Sequence, residues 1–295
     1  MKFGETVALD DISLSVEESE LFGVIGPDGA GKTTLFRMFT TLLIPDSGSV
    51  SVMGYDTVKD YRAIRKEIGY MPGRFSLYQD LTVEENLKFY ATVFGTNIRE
   101  NYHLIKDIYS HIEPFKNRQA GKLSGGMKQK LALCCALIHA PRIIILDEPT
   151  TGVDAVSRTE FWEMLKNLRK ENITIVVSTP YMDEASRCDR VALMQSGRIL
   201  INDSPDNLLK VSGKKLYAVS SASKWALINA LRSHPSVVTA DAFGDSIHVT
   251  FRGEQVEDSL ADHLLANGIK DAMVKETEPG IEDTFLYLMN AAKNE

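Results

Sequence analysis

Cysteine is scarce in this sequence: three in 295 residues. Two of them, Cys134 and Cys135, are neighbours inside a stretch with helical patterning. An odd count with an adjacent pair that cannot easily bridge excludes a disulfide scaffold. It points to structural thiols in a reducing compartment. Long apolar runs are missing too. A bilayer span needs about 20 apolar residues, and the best stretch, Leu131 to Leu146, is broken by His139, Pro141 and Arg142. The opening Met1-Lys2-Phe3-Gly4-Glu5 lacks a basic-then-apolar pattern, so no leader is expected. Nor is there an excess of positive charge: 33 Lys and Arg stand against 40 Asp and Glu, for a net charge of −7. That balance argues against nucleic acid as a partner. Internal repeats and low-complexity tracts are absent. What remains, 44% hydrophobic and 25% charged residues, is ordinary for a soluble globular chain long enough for one large domain or two.

The most informative stretch is Gly26-Pro27-Asp28-Gly29-Ala30-Gly31-Lys32-Thr33, with Thr34 following. It fits G-x-x-x-x-G-K-[ST], a loop that wraps nucleotide phosphates. Leu21, Phe22, Val24 and Ile25 lead in as a buried parallel strand. Leu35, Phe36, Phe39, Leu42 and Leu43 follow at helical spacing from Lys32 to Leu43. Three glycines let backbone N–H groups turn onto phosphate oxygens, and the helix N-terminus adds positive potential. Lys32 is expected to reach the β- and γ-phosphates and the Thr33 hydroxyl to ligate Mg²⁺.

Strands are expected at Thr6–Leu9, Ile12–Val16, Ser49–Met53 and Ile68–Met71, the last stopped by Pro72-Gly73. Val58–Glu67 reads as a helix. The chain then turns helical to about residue 120, with Thr82 and Glu85 forming a capping box. Ile143–Leu146 is an apolar strand ending in Asp147-Glu148. A helix at Ser157–Lys170, a strand at Ile173–Ser178 and a hairpin around Ser196-Gly197 complete an α/β pattern with a mainly parallel sheet. The pattern resets near Val211–Lys215. This sets a first domain at 1–213, with a helical insertion at about 74–130, and a second at 214–295. In the second, strand, helix, strand, strand, helix, strand and a closing helix resemble a ferredoxin-like βαββαβ unit.

Asp147, at a strand end, suits a Mg²⁺-binding carboxylate, and Glu148 is placed to orient or deprotonate water. Leu123-Ser124-Gly125-Gly126-Met127-Lys128-Gln129 opens another helix, with Ser124 as N-cap. Its two glycines leave the helix N-terminus bare for an anion. The phosphate loop already provides one such site, so the second suggests a γ-phosphate held by another subunit.

With these motifs in this order, the first 210 or so residues resemble an ABC ATPase. The resemblance implies a Walker A loop (Gly26–Thr34), a Walker B strand ending in Asp147 and the catalytic Glu148. It also implies a signature at Ser124, Gly125, Gly126 and Gln129 that meets the partner's ATP, and a D-loop, Thr151-Gly152-Val153-Asp154, at the dimer interface. Phe3 lies where the family carries an adenine-stacking aromatic. The implied fold is an α/β P-loop NTPase (RecA-like) core with a helical subdomain, plus a small C-terminal α+β domain. That domain resembles the extension of ABC-2-type exporter ATPases. ATP and Mg²⁺ are the implied cofactors. The implied partners are a second nucleotide-binding domain, identical or not, and transmembrane permease subunits. The chain would sit on the cytoplasmic face of the membrane.

Two residues depart from the family pattern. Gly73 stands where the Q-loop glutamine belongs, and Pro180 where a histidine holds the catalytic glutamate. Proline offers no side-chain hydrogen bond and restricts Thr179 before it. The expected function is therefore the ATP-binding subunit of an ABC-2-type exporter. The alternatives are a degenerate, mainly ATP-holding half of a heterodimer, and a soluble ABC ATPase of ribosomes or DNA repair.

Overall fold

The computed structural model describes residues 1–211, 215–252 and 257–292. Contacts divide the chain into two compact units, Met1–Pro205 and Asp206–Glu295. The division therefore comes ahead of residue 213, where the pattern of the sequence resets. Leu208 shows why: its carbonyl accepts a 3.0 Å hydrogen bond from Thr284 Oγ1, which ties the segment after Pro205 to the second unit. The expected break at Val211–Lys215 and the Val256 start of a helix fall partly outside the described residues.

The first unit opens with a short hairpin, β1 (Lys2–Phe3) and β2 (Thr6–Val7), and continues with β3 (Leu21–Ile25) and α1 (Lys32–Phe39). Next come β4 (Ser51–Val52), β5 (Tyr55–Asp56), α2 (Tyr61–Glu67) and β6 (Ile68–Met71). The inserted helices are α3 (Val83–Val93), α4 (Tyr102–Ser110) and α5 (Gly125–Leu137). The unit closes with β7 (Ile143–Asp147), α6 (Ala155–Arg169), β8 (Thr174–Thr179), β9 (Arg190–Gln195) and β10 (Arg198–Asp203).

Six strands form the main sheet in the order β10-β9-β3-β8-β7-β6. All neighbours are parallel except the β9–β10 hairpin. Every residue of β3 is buried, as a continuous apolar run in a parallel sheet covered on both faces should be. Phe22 and Val24 pack with Leu35, Phe36 and Met38 of α1 in one core cluster. The register pairs Ile25 with Thr179 and Asp147 with Ser178. The carboxyl ends of β3, β8 and β7 are thus brought side by side, where open α/β sheets bind ligands.

Two local expectations change. Ile12–Val16 forms no strand; Ile12, Leu14 and Val16 instead pack as partly buried residues against the core cluster. Helix α1 stops at Phe39 and not Leu43. Thr41 takes a left-handed φ of 61°, and Leu42 and Leu43 both donate back to Arg37 O, which unwinds the last turn. The capping box forms as expected: Thr82 Oγ1 accepts from Glu85 N at 3.2 Å, and Glu85 Oε2 accepts from Thr82 N at 2.7 Å.

The second unit contains α7 (Pro205–Leu208, which begins at the last residue of the first), β11 (Leu216–Ser220), α8 (Lys224–Ser233) and β12 (Val237–Phe243). It continues with β13 (Ser246–Phe251), α9 (Glu257–Ala266), β14 (Met273–Thr277) and α10 (Ile281–Ala292). Its antiparallel order β12-β13-β11-β14 is that of a ferredoxin-like sheet. Val219, Leu227, Leu231, Ile247, Val249 and Leu260 form its core. A 2.7 Å contact between His248 Nδ1 and Asp283 Oδ1 fastens β13 to α10.

Candidate nucleotide site

The loop from Gly26 to Thr33 leaves β3 and enters α1, and its glycines are sterically required. A Cβ at Gly26 would lie 2.1 Å from Met194 O, and one at Gly31 would lie 2.5 Å from Ala8 O. Gly29 and Gly31 take φ values of 79° and 106°, a region L side chains avoid. Pro27, Asp28 and Gly29 form an exposed crest, whereas Ala30 is buried and Thr34 half-buried on α1.

Lys32 is only 3% exposed. Its ammonium donates to Gly26 O at 2.8 Å and Pro27 O at 3.1 Å, and pairs with Glu148 Oε1 at 3.1 Å. The next residue, Thr33, donates through Oγ1 to Asp147 Oδ1 at 3.2 Å. Lys32, Thr33, Asp147 and Glu148, read separately from sequence, thus converge on one spot. Thr33 and Asp147 present two oxygens to the same point, a donor set that suits a hard cation such as Mg²⁺ when phosphate oxygens and water complete the shell. Among the described residues, no group of three or more His, Cys, Asp or Glu could hold a metal alone. Tyr70 on β6 has its hydroxyl pushed up to about 12 by burial and by the Asp147 charge, so it stays neutral and adds no negative charge there.

Two further residues hold this centre and escaped sequence reading. Ser178 Oγ donates to Asp147 Oδ1 at 2.7 Å, and Glu148 N donates to Ser178 O at 3.1 Å and to Ser178 Oγ at 3.0 Å. Glu184, 1% exposed, accepts from Thr150 and Thr179. Adjacency of β7 and β8 would have flagged Ser178, a polar residue ending an apolar strand beside Asp147. Nothing local to Glu184 signals its role, because its partners lie on two other segments.

The signature residues form a second cluster. Ser124 caps α5, accepting from Met127 N at 3.4 Å. A Cβ at Gly125 would stand 3.4 Å from Gly152 O, and one at Gly126 would stand 2.8 Å from Ser157 Oγ. The glycines therefore let α5 lie directly against the turn that begins α6. Asp154 caps α6, accepting from Ser157 N at 3.0 Å, and that bond holds its carboxyl below the usual range. Ser124, Gly125 and Asp154 are exposed and Gln129 is half-buried. Phe3 lies 48% exposed on the β1–β2 hairpin. The segment after that hairpin brings Ala8 against Gly31.

Gly73 lies beside Asp147: a Cβ there would be 3.1 Å from Asp147 O and 3.7 Å from Asp147 Oδ2. Pro180 immediately follows Thr179, which ends β8. Gly73 thus falls beside Asp147 and Pro180 at the end of the strand next to β7, and neither supplies a polar side chain.

The ABC transporter family profile matches residues 9–151. A Nod factor export ATP-binding protein I from Rhizobium sp. is 34% identical over 97% of this chain and 93% of its own length. The chain belongs to the ABC transporter ATP-binding family. ATP hydrolysis is that family's activity. A probable multidrug ABC transporter ATP-binding protein of Escherichia coli, YbhF, is 38% identical over 97% of this chain, which spans 50% of that relative's length. Among solved structures, an ATP-binding cassette captured as a dimer with ADP and Pi is 27% identical. It has a TM-score of 0.62 over 69% of this chain and 94% of that one. The structure of cbiO1 from Clostridium perfringens, part of the ABC transporter complex cbiONQ, is 28% identical, with a TM-score of 0.62 over 70% and 85% of the two chains. Among the described residues no helix is long and apolar enough to cross a membrane.

Proposed function

We propose that this chain is the ATP-binding subunit of an ABC-2-type exporter, peripheral on the cytoplasmic face of the cell membrane, working through separate permease subunits. The observation that carries this reading is the convergence of Lys32, Thr33, Asp147 and Glu148 at the carboxyl ends of β3 and β7. In it the loop amides of Gly29 to Thr33 and the Lys32 ammonium grip the phosphates. Thr33 and Asp147 would hold Mg²⁺, which when bound neutralises charge on the phosphate oxygens. As the ammonium turns from Glu148 to the nucleotide, the Glu148 carboxylate is released to orient water and accept its proton. Phe3 would stack on the adenine. Ser124, Gly125, Gly126, Gln129 and the Asp154 loop would close over ATP held by a second nucleotide-binding domain. Phe75, Leu77 and Tyr78, after Gly73, would face the permease.

The test is capture of the tagged chain from crosslinked cells. Recovery of a polytopic membrane protein supports the reading; recovery of ribosomes or DNA with no membrane protein refutes it.

A second reading has its own support in Gly73 and Pro180: a mainly ATP-holding half of a heterodimer. Its own Walker site would bind well and turn over slowly, while its signature completes a competent site on a different cassette.

A further inference from the structure

Among the described residues Glu184 is the most deeply buried carboxylate, 1% exposed against 2% for Asp147. Burying a carboxylate is costly unless donors surround it. Here two equally buried hydroxyls do so. Thr150 Oγ1 donates to both oxygens, at 3.0 and 3.2 Å, and Thr179 Oγ1 donates to Oε2 at 2.5 Å. Arg158 Nε stands 3.6 Å from Oε1.

The two hydroxyls come from the two segments that matter most to Glu148. Thr150 lies on the turn that follows it, and the neighbouring Thr151 donates to Glu148 Oε2 at 3.3 Å. Thr179 ends β8 directly before Pro180. Glu148 itself takes a φ of +49°, a conformation that a non-glycine residue keeps only when its surroundings hold it. On one side Ser178 provides that hold through the Glu148 N–H. On the other side a link between Thr150 and Thr179 runs through Glu184. Arg158 carries it to α6, pairing with Asp183 at 3.0 Å and lying 4.7 Å from the Tyr181 ring centre.

We propose that Glu184 is a positioning residue for hydrolysis, a buried carboxylate that clamps Thr150 to Thr179 and thereby fixes Glu148 and the start of the Thr151–Asp154 loop. The proposal rests on Glu148 being the carboxylate that activates water. With Pro180 offering no side-chain hydrogen bond, the clamp carries a restraint that a polar residue at that position would otherwise share. Misplacing a catalytic group by about 1 Å can cost about a hundredfold in rate, so the clamp acts on turnover and not on the phosphate grip.

The experiment measures kcat, KM and equilibrium Mg-ATP affinity for the full chain, with thermal unfolding as a control. The variants are Glu148→Gln, Glu184→Gln, Glu184→Ala and Thr150→Val. We expect Glu184→Ala and Thr150→Val to lower kcat about tenfold or more. Glu184→Gln, which keeps one acceptor oxygen, should lose less. In all three, ATP affinity should stay within about twofold. In the Gly73→Gln/Pro180→His background, where a second restraint returns, the loss caused by Glu184→Gln should shrink. A purely structural role would lower the unfolding temperature with kcat per folded chain unchanged, and that result overturns the proposal. So does a set in which Glu148→Gln abolishes turnover while the Glu184 and Thr150 variants match the unmodified chain. A rate that survives Glu148→Gln removes the premise itself, and so separates failure of the premise from failure of the clamp.

Discussion

On its proposed phosphate side the site is fully equipped: Lys32 bonds two loop carbonyls and Glu148, Thr33 bonds Asp147, and Gly26 and Gly31 sit where a Cβ would collide. On the side that would meet the attacking water, Gly73, beside Asp147, and Pro180, directly after β8, bring no polar side chain. The grip and the chemistry thus rest on different residues of one sheet edge. Binding needs donors aimed at a stable ground-state charge. Turnover needs further groups placed for a transition state, and in the second reading proposed above Gly73 and Pro180 do not supply them. One side can therefore be complete while the other is thinned.

The sharpest way to break this contrast is Glu148→Gln. It should lower kcat by about 10² to 10³ and leave ATP affinity within about threefold, as read by equilibrium titration beside steady-state assay. Equal losses in both would show that the two sides are not separable. Next in size is Lys32→Ala, which removes a buried ammonium. Losing a charge-assisted bond of this kind should weaken Mg-ATP binding about a hundredfold. A Gly126→Ala change tests the second cluster. Its Cβ would stand 2.8 Å from Ser157 Oγ, so α5 must shift from α6. Nucleotide-driven dimerisation, followed by light scattering, should weaken about tenfold with binding to the chain's own loop unchanged.

Smallest and remote from both sides is Thr82→Ala, which removes the α3 cap for about 1 kcal/mol, seen as a lower unfolding midpoint. Its Glu85 partner has a carboxyl held below the usual range by the Thr82 backbone N–H. That contribution is in place above the unfolded pKa and fades as pH falls through the folded value. Thr82→Ala keeps that N–H and removes the Thr82 hydroxyl, which also donates to Glu85 Oε2 at 2.8 Å and lowers its carboxyl further, so the difference between the variant and the unmodified chain should narrow slightly in acid.

Much of this was legible in the sequence because it was written in local pattern. The phosphate loop between an apolar strand and a helix, the Thr82–Glu85 box, the Asp147-Glu148 strand end and the βαββαβ order each occupy contiguous residues. Ser178 and Glu184 were not legible, because their work depends on β7 and β8 lying side by side and on a buried carboxylate meeting hydroxyls from two distant segments. Ile12–Val16 alternates like a strand, yet alternation states only which face is buried, and among the described residues no strand offers it a ladder. Helix α1 kept its apolar spacing to Leu43, but a left-handed Thr41 ended it earlier, which propensity alone does not mark.

Whether grip and turnover are separate is decided by introducing together the glutamine and histidine that the family pattern carries at positions 73 and 180. Mg-ATP affinity and kcat are to be measured for the unmodified chain and for Gly73→Gln/Pro180→His. The glutamine Cβ, 3.1 Å from Asp147 O, requires only a small local adjustment. The structure predicts affinity unchanged within about threefold and kcat raised about tenfold or more. An unmodified chain that already turns over at an ordinary enzymatic rate of about 1 s⁻¹ or faster, with no gain from the two substitutions, would contradict it.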